Sequence, residues 1–238
     1  MNNAGYIVIS RQASLMKELT SIANNIANSD TAGFRREGFL FSEYVQALEG
    51  PGQSISQTNI GGRFFDARTG GLAQTGAPFD VAIDGEGYFA VQTPQGERLT
   101  RAGSFALSNE GELATADGHA LLSESGGPIS IPAEAGTVTI APDGSIAVDG
   151  APLGKIGVFT VPPTALTREG ANLFRATQDK QPVDEPHLAQ GFLEDSNVDP
   201  VVEIARLIEV QRAYELGQQL LKDEDDRIAK TIESFGRG

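Results

Sequence analysis

The sequence predicts an α+β fold: N- and C-terminal α-helices form a coiled-coil-like inner layer around which a central all-β domain is carried. Three observations predict it. The head is a Pro-free amphipathic stretch, and the tail is a longer one. Between them lie short apolar or alternating segments, cut by turn signals every 8–15 residues or so, with no long helical pattern.

The head, residues 1–33, is read as a helix and turn. Val8, Leu15, Leu19, Ile22 and Ile26 recur at spacings of 7, 4, 3 and 4, with Gln12 on the vacant seam position. Asn28-Ser29-Asp30-Thr31-Ala32-Gly33 then stops the helix with turn formers. Residues 34–70 are rich in Gly, Ser, Gln and Thr. They also hold Phe34, Phe39, Phe41, Phe64 and Phe65, too many aromatics for an inert linker, so they are read as a semi-ordered arm that docks.

Residues 71–195 form the all-β domain. Asp80 to Ile83 and Tyr88 to Val91 are strands separated by Asp84-Gly85-Glu86-Gly87. Val138 to Ile140 and Ile146 to Val148 flank Asp143-Gly144 as a hairpin, and Lys155 to Val161 reads as one strand. The tail, residues 196–238, is the second helix. Asp199 is placed to cap it, and Pro200 suits its first position. Leu207, Val210, Tyr214, Leu221 and Ile228 form a heptad-like stripe that Phe235 extends, and Gly217 on that stripe permits close backbone approach.

Each helix is read as having one narrow stripe, which stays wet if the helix stands alone. The helices must therefore pair with each other in a hairpin or with neighbouring chains. The heptad spacing favours an inter-subunit coiled coil, since a 3.5-residue period supercoils. On that reading the subunit interface is Val8, Leu15, Leu19, Ile22, Ile26, Leu207, Val210, Tyr214, Leu221 and Ile228.

Composition excludes several functions. The 238 residues carry 32 acids and 18 bases, a net charge of −14, which disfavours nucleic acid and polybasic membrane binding. Residues 1–70 hold six bases and six acids, so the excess negative charge lies in the rest. There is no Cys, hence no disulfide, thiol nucleophile or cysteine metal site. No apolar run is long enough to insert in a membrane, and Met1 to Ser10 lacks the make-up of a secretory signal peptide.

Catalytic patterns are weak. His119 and His187 have no HExxH spacing, Ser104 lacks a G-x-S-x-G frame, and Gly85-Glu86-Gly87 joins two strands instead of a strand and a helix. Asp84 with Glu86 could serve a glycosidase, but such pairs arise readily among 32 acids. Asp223-Glu224-Asp225-Asp226 lacks EF-hand spacing and reads as a solvated helix face. The expectation is no enzyme, no cofactor and no metal.

Three motifs carry a resemblance. Ala23-Asn24-Asn25-Ile26-Ala27-Asn28 with Thr31-Ala32-Gly33-Phe34-Arg35-Arg36 resembles the N-terminal signature of bacterial flagellar rod and hook proteins. Thr75 to Ile83, Gly85 to Val91 and Thr100 to Phe105 resemble their β-domain signature. Ser196-Asn197-Val198-Asp199, then Leu207-Ile208-Glu209-Val210-Gln211-Arg212-Ala213-Tyr214-Glu215, resemble their C-terminal one. The motif residues of interest are Asn24, Asn25, Asn28, Gly33, Phe34, Asn197, Asp199, Gln211 and Arg212. The family often continues with Asn-Ser-Lys, where this chain has Leu216-Gly217-Gln218-Gln219.

Length and the opening Asn3 to Gln12 resemble the proximal rod members most, with the distal rod protein second. The resemblance implies a structural subunit, exported without a cleaved signal by the flagellar type III apparatus. It implies assembly in the periplasm into the basal-body rod, a hollow shaft that transmits torque, with the terminal helices lining the tube. Implied partners are the innermost proximal rod proteins, the distal rod protein and the export apparatus. The rival readings are an extracellular β-rich adhesin or carbohydrate-binding protein, and a glycosidase.

Overall fold

The computed structural model describes residues 3–47, 54–170 and 172–235, with side-chain surroundings for 8–40, 62–170 and 172–235. Residues 48–53 of the arm, and the side chains of Phe41 and its neighbours, lie outside that set. Helix α1 spans Asn3–Ala27 and α2 spans Pro200–Phe235. At 1.5 Å per residue, the 36 residues of α2 reach about 54 Å. The chain divides into two compact units and crosses between them four times. A helical unit holds Met1–Ala27, Glu37–Phe65 and Asp199–Gly238. A β unit holds Asn28–Arg36 and Asp66–Val198.

In the helical unit, the stretch read as an arm contains an antiparallel hairpin of β1 (Glu37–Ala47) and β2 (Ser54–Phe65). Its register runs from Glu37 opposite Phe65 to Ala47 opposite Ser54, with a shift between Leu40 and Phe41. Helices α1 and α2 lie antiparallel. Gln12 meets Tyr214, Glu18 meets Arg206, and Asn25 meets Glu203. Each helix therefore covers part of the other's stripe within one chain. Ile22 and Val210 are buried, and Leu15, Leu19, Ile26, Leu207, Tyr214 and Leu221 are half-buried. Of the two pairings the sequence left open, the hairpin within one chain is therefore present and covers part of each stripe.

The β unit is a set of short strands. In chain order they are β3 (Leu72–Gln74), β4 (Val81–Ile83), β5 (Tyr88–Thr93), β6 (Gly96–Thr100), β7 (Phe105–Leu107), β8 (Leu113–Thr115) and β9 (Ala120–Leu121). There follow β10 (Val138–Ile140), β11 (Ser145–Val148), β12 (Ala151–Lys155), β13 (Val158–Thr160), β14 (Leu166–Glu169), β15 (Leu173–Ala176), β16 (Gln181–Pro182), β17 (Leu188–Gln190) and β18 (Phe192–Glu194). The main sheet runs β14-β15-β6-β5-β9-β8-β7, with β13 joining β5 and β16 to it. A three-stranded sheet runs β10-β11-β12, and β17 pairs with β4 and β18 with β3.

The predicted hairpin around Asp143-Gly144 is present, with Val138 opposite Val148 and Ile140 opposite Ile146. The single strand read from Lys155 to Val161 is two strands instead. Ile156 leaves β12 because its N–H donates to the Gly144 carbonyl and it bridges Ser123, so pairing restarts at β13. The core of this unit is dry. Val81, Phe89, Val91, Leu113, Leu121, Ile146 and Ile156 are buried, and Phe89 meets Phe105 edge to face at 5.4 Å. The central strands are buried in continuous runs, β4 throughout and β5 at Phe89, Ala90 and Val91, so both of their faces are covered.

Candidate functional site

Two constellations organise the molecule, one in each unit. In the helical unit, a polar network is built into the helix seam. Asn25 sits in the last turn of α1, with its side chain buried. Its carboxamide pairs with the backbone of Glu37 at the start of β1. Nδ2 donates to the Glu37 carbonyl at 2.9 Å, and Oδ1 accepts the Glu37 N–H at 3.0 Å. Nδ2 also donates to Oε2 of Glu203, a fully buried carboxylate on α2, at 3.1 Å. The Ser21 hydroxyl donates to the same Glu37 carbonyl at 3.2 Å. One amide thus joins α1, β1 and α2, and such a buried network fixes register because leaving any member unpaired is costly.

Farther along the seam, the Gln12 amide donates to the Tyr214 carbonyl at 2.8 Å. It lies against Gly217, where an added Cβ would come within 2.2 Å of Gln12 Nε2. The close approach expected at Gly217 therefore occurs, and within one chain. At the start of α2, the Asp199 carboxylate accepts the N–H groups of Val201 at 2.9 Å and Val202 at 3.2 Å, the expected cap.

In the β unit, three stretches far apart in the chain meet. Arg35 comes from the segment after α1, Arg101 follows β6, and Glu194 ends β18. Arg35 Nη1 lies 2.5 Å from Glu194 Oε1, and Arg101 Nε lies 2.8 Å from Oε2. The three side chains are 1–3% exposed. Arg101 also donates from Nη1 and Nη2 to the carbonyls of Gly87 and Gly85, both at 2.8 Å. Burial pulls the Arg101 guanidinium below its ordinary value, and Glu194 pulls the other way. It stays charged, since a guanidinium starts so high. Burial likewise pushes the neighbouring Tyr88 phenol up.

The same corner is locked by its backbone. Gly33 adopts φ +69°, and an added Cβ would lie 2.4 Å from the Arg101 carbonyl, so only glycine fits. Its N–H donates to the Glu194 carbonyl at 2.7 Å. Phe34 is completely buried beneath the Arg168 guanidinium, 4.2 Å from the ring centroid. Asn197 links the segment around Arg36 to the segment of Asp66 and Arg68. Its Oδ1 accepts the Arg36 N–H at 2.6 Å, and Nδ2 donates to the carbonyls of Asp66 and Arg68 at 2.9 and 2.8 Å. The Arg68 guanidinium on Asp66 holds that carboxyl below the usual carboxylate range.

The motif residues therefore divide. Asn25, Gly33, Phe34, Asn197 and Asp199 build these contacts, and Asn28 accepts the Thr31 N–H in the turn after α1. Asn24, Gln211 and Arg212 are exposed. Among the expected interface residues, Val8 is half-buried and Ile228 is 40% exposed. The antiparallel offset explains Ile228. With Gln12 against Gly217, nine residues of α1 remain, enough to reach about residue 226. Ile228, Ile232 and Phe235 continue the seam beyond α1, and Phe235 is 83% exposed.

The reading of one stripe per helix is corrected on α2. Val201, Ile204 and Ile208, at spacings of 3 and 4, and Leu216 and Leu220 lie off the seam and are exposed. On α1, Ile9 and Met16 are exposed too. The 3-and-4 spacing of Val201, Ile204 and Ile208 was the available signal. Glu194 and Glu203 carried none, as acids outside any recognised pattern. Among the described residues, no cluster of three or more His, Asp or Glu is placed to hold a metal ion, and no helix is long and apolar enough to cross a membrane.

Comparison with known proteins agrees with this layout. Residues 6–35 match the family described as flagella basal body rod protein. Residues 82–148 match the flagellar hook protein FlgE/F/G D1 domain, and residues 189–234 the flagellar basal body rod FlgEFG protein C-terminal region. The flagellar basal-body rod protein FlgF of Caulobacter vibrioides is 38% identical over 248 residues, covering 100% of this chain and 99% of that one. FlgF of Mesorhizobium japonicum is 36% identical, covering 99% of each. The rod protein FlgG of Bacillus subtilis is 33% identical, covering 95% of this chain and 97% of its own. The chain belongs to the flagellar basal-body rod protein family.

Proposed function

We propose that this chain is a proximal rod subunit whose terminal helices form the inner layer of a torque-transmitting shaft. The observation that carries the reading is the apolar surface left on α2 after α1 has taken its share. Val201, Ile204, Ile208, Leu216 and Leu220 cover one side, and Ile228, Ile232 and Phe235 extend past the end of α1. Burying a large apolar side chain contributes about 1.5–3 kcal/mol, so these eight residues are a strong drive to associate. Contacts of this kind that repeat head to tail without closing generate a helical filament. The expected neighbours are the innermost rod proteins on one side and the distal rod protein on the other. Entry into the periplasm is through the flagellar type III export apparatus, without cleavage of a signal.

The interface is thus a layered one. The seam residues Val8, Leu15, Leu19, Ile22, Ile26, Leu207, Val210, Tyr214 and Leu221 hold α1 on α2. The outer set, together with Ile228, Gln211 and Arg212, meets neighbouring subunits. The test is to replace Ile208 and Leu220 by Asp. These variants are expected to keep the circular dichroism of the parent and to be lost from purified basal bodies. Normal incorporation would refute the reading. Electron cryomicroscopy of intact basal bodies distinguishes a proximal from a distal position.

A further inference from the structure

The β unit contains a half-open cavity of about 460 Å³, in the size range of small-ligand sites. Its walls include Arg35, Arg101, Tyr88, Gly87, Thr160 and Pro162. Two buried guanidiniums here share one buried carboxylate, Glu194, so this buried trio carries a net charge of +1. Arg101 is largely committed to Glu194, Gly85 and Gly87. Arg35 gives Nη1 to Glu194 and to the Arg68 carbonyl at 2.7 Å, and its Nε, like the Arg101 Nε that lies 2.8 Å from Glu194 Oε2, is buried without a well-aligned hydrogen bond. A buried cation short of acceptors is costly, and a second carboxylate would relieve that cost. The other acids lining the cavity, Glu86 and Asp179, are exposed and stand in water.

We propose that this cavity is a binding site for one carboxylate group, seated against Arg35 beside Tyr88. Arg is the side chain whose planar fork suits a carboxylate. Glu86 and Asp179 carry the ligand's own sign, so they admit a single carboxylate on a neutral carrier and oppose a polyanion. The carrier is either a free small acid or an Asp or Glu side chain on a turn of another polypeptide, and the chemistry is the same.

The test uses the full chain with ¹⁵N-labelled arginine, following the Nε–Hε resonances of Arg35 and Arg101. The probes are sodium acetate against sodium chloride at constant ionic strength, and a capped Gly-Asp-Gly peptide against its Gly-Asn-Gly counterpart. Saturable shifts are expected with acetate and the Asp peptide, and none with chloride or the Asn peptide. An Asp peptide binding at least five-fold tighter than acetate assigns the protein-borne source, and equal affinity assigns the free acid. No saturable shift, or equal binding of the Asn peptide, overturns the proposal. Arg35→Gln is expected to abolish binding. Should that variant fail to fold, Glu86→Gln decides, because the exposed Glu86 is not needed for packing. Removing its like charge is expected to tighten acetate binding by roughly two- to five-fold, and unchanged or weaker binding contradicts the proposal.

Discussion

The two units solve the burial problem in opposite ways. The β unit closes an apolar core over itself, with Phe89, Val91 and Leu121 fully buried and the side chains of its main charged cluster only 1–3% exposed. The helical unit closes only a seam. Along that seam, among the described residues, Ile22 and Val210 are the large apolar side chains that are buried, while α2 keeps broad apolar surface in water. The contrast teaches that polar groups do different work in each. In the β unit, Arg35, Arg101 and Glu194 pin together distant chain segments that the core already holds. In the helical unit, Asn25, Glu203 and Gln12 set the register of helices whose apolar contacts are too sparse to do so. A self-sufficient body and an unfinished one are carried by the same chain.

Breaking the β core should have the largest effect. Phe89→Ala is expected to destabilise the β unit by about 3–5 kcal/mol, read as a lower urea midpoint. An unchanged midpoint would mean the core is less tightly packed than the burial of Phe89 requires. Removing the shared carboxylate comes next. Glu194→Leu leaves two buried guanidiniums without a counter-charge and should cost about 3 kcal/mol or more. Replacing Arg35, Arg101 and Glu194 together with apolar residues should recover much of that loss, which a merely exposed ion pair would not show.

Asn25→Ala tests the register device of the helical unit. It removes the bonds to Glu37 and Glu203 and should cost about 1–3 kcal/mol. Faster amide exchange at Glu37 should accompany it, with the β unit unaffected. Equal loosening of both units would erase the distinction between them. The smallest effect is expected at Asp149, an exposed residue whose carboxylate accepts the N–H groups of Gly136 and Thr137. Those bonds hold its folded carboxyl below the usual range. The stabilisation is therefore present at neutral pH and is lost as pH falls through that depressed value. Amide exchange at Gly136 and Thr137 should rise there, while exchange in the α1–α2 seam does not follow the same titration.

The sequence was more legible where a period or a turn speaks. Both helices, the Asp199 cap, the Asp143-Gly144 hairpin and the short strands between turn signals follow from local pattern. The seam face of each helix was legible too, since Ile22 and Val210 fall on it. What period could not give was the partner of each face. A heptad stripe is satisfied equally by a helix of the same chain and by one from a neighbour, and the structure fills part of it internally. The second face of α2 was missed because Val201, Ile204, Ile208, Leu216 and Leu220 fall off the heptad positions that the stripe occupies. The charged corner was hidden for another reason. Arg35, Arg101 and Glu194 lie far apart in the chain, and only tertiary folding brings them within 3 Å.

The central claim is that the uncovered face of α2 is sheltered by neighbouring subunits in the rod. The chain has no cysteine, so an Ile208→Cys variant carries a single thiol to label. Its maleimide reactivity should be compared between the free chain and purified basal bodies. Fast labelling of the free chain with at least ten-fold protection in the basal body is the expected result. Equal labelling in both, from a variant that has been incorporated, would contradict the claim.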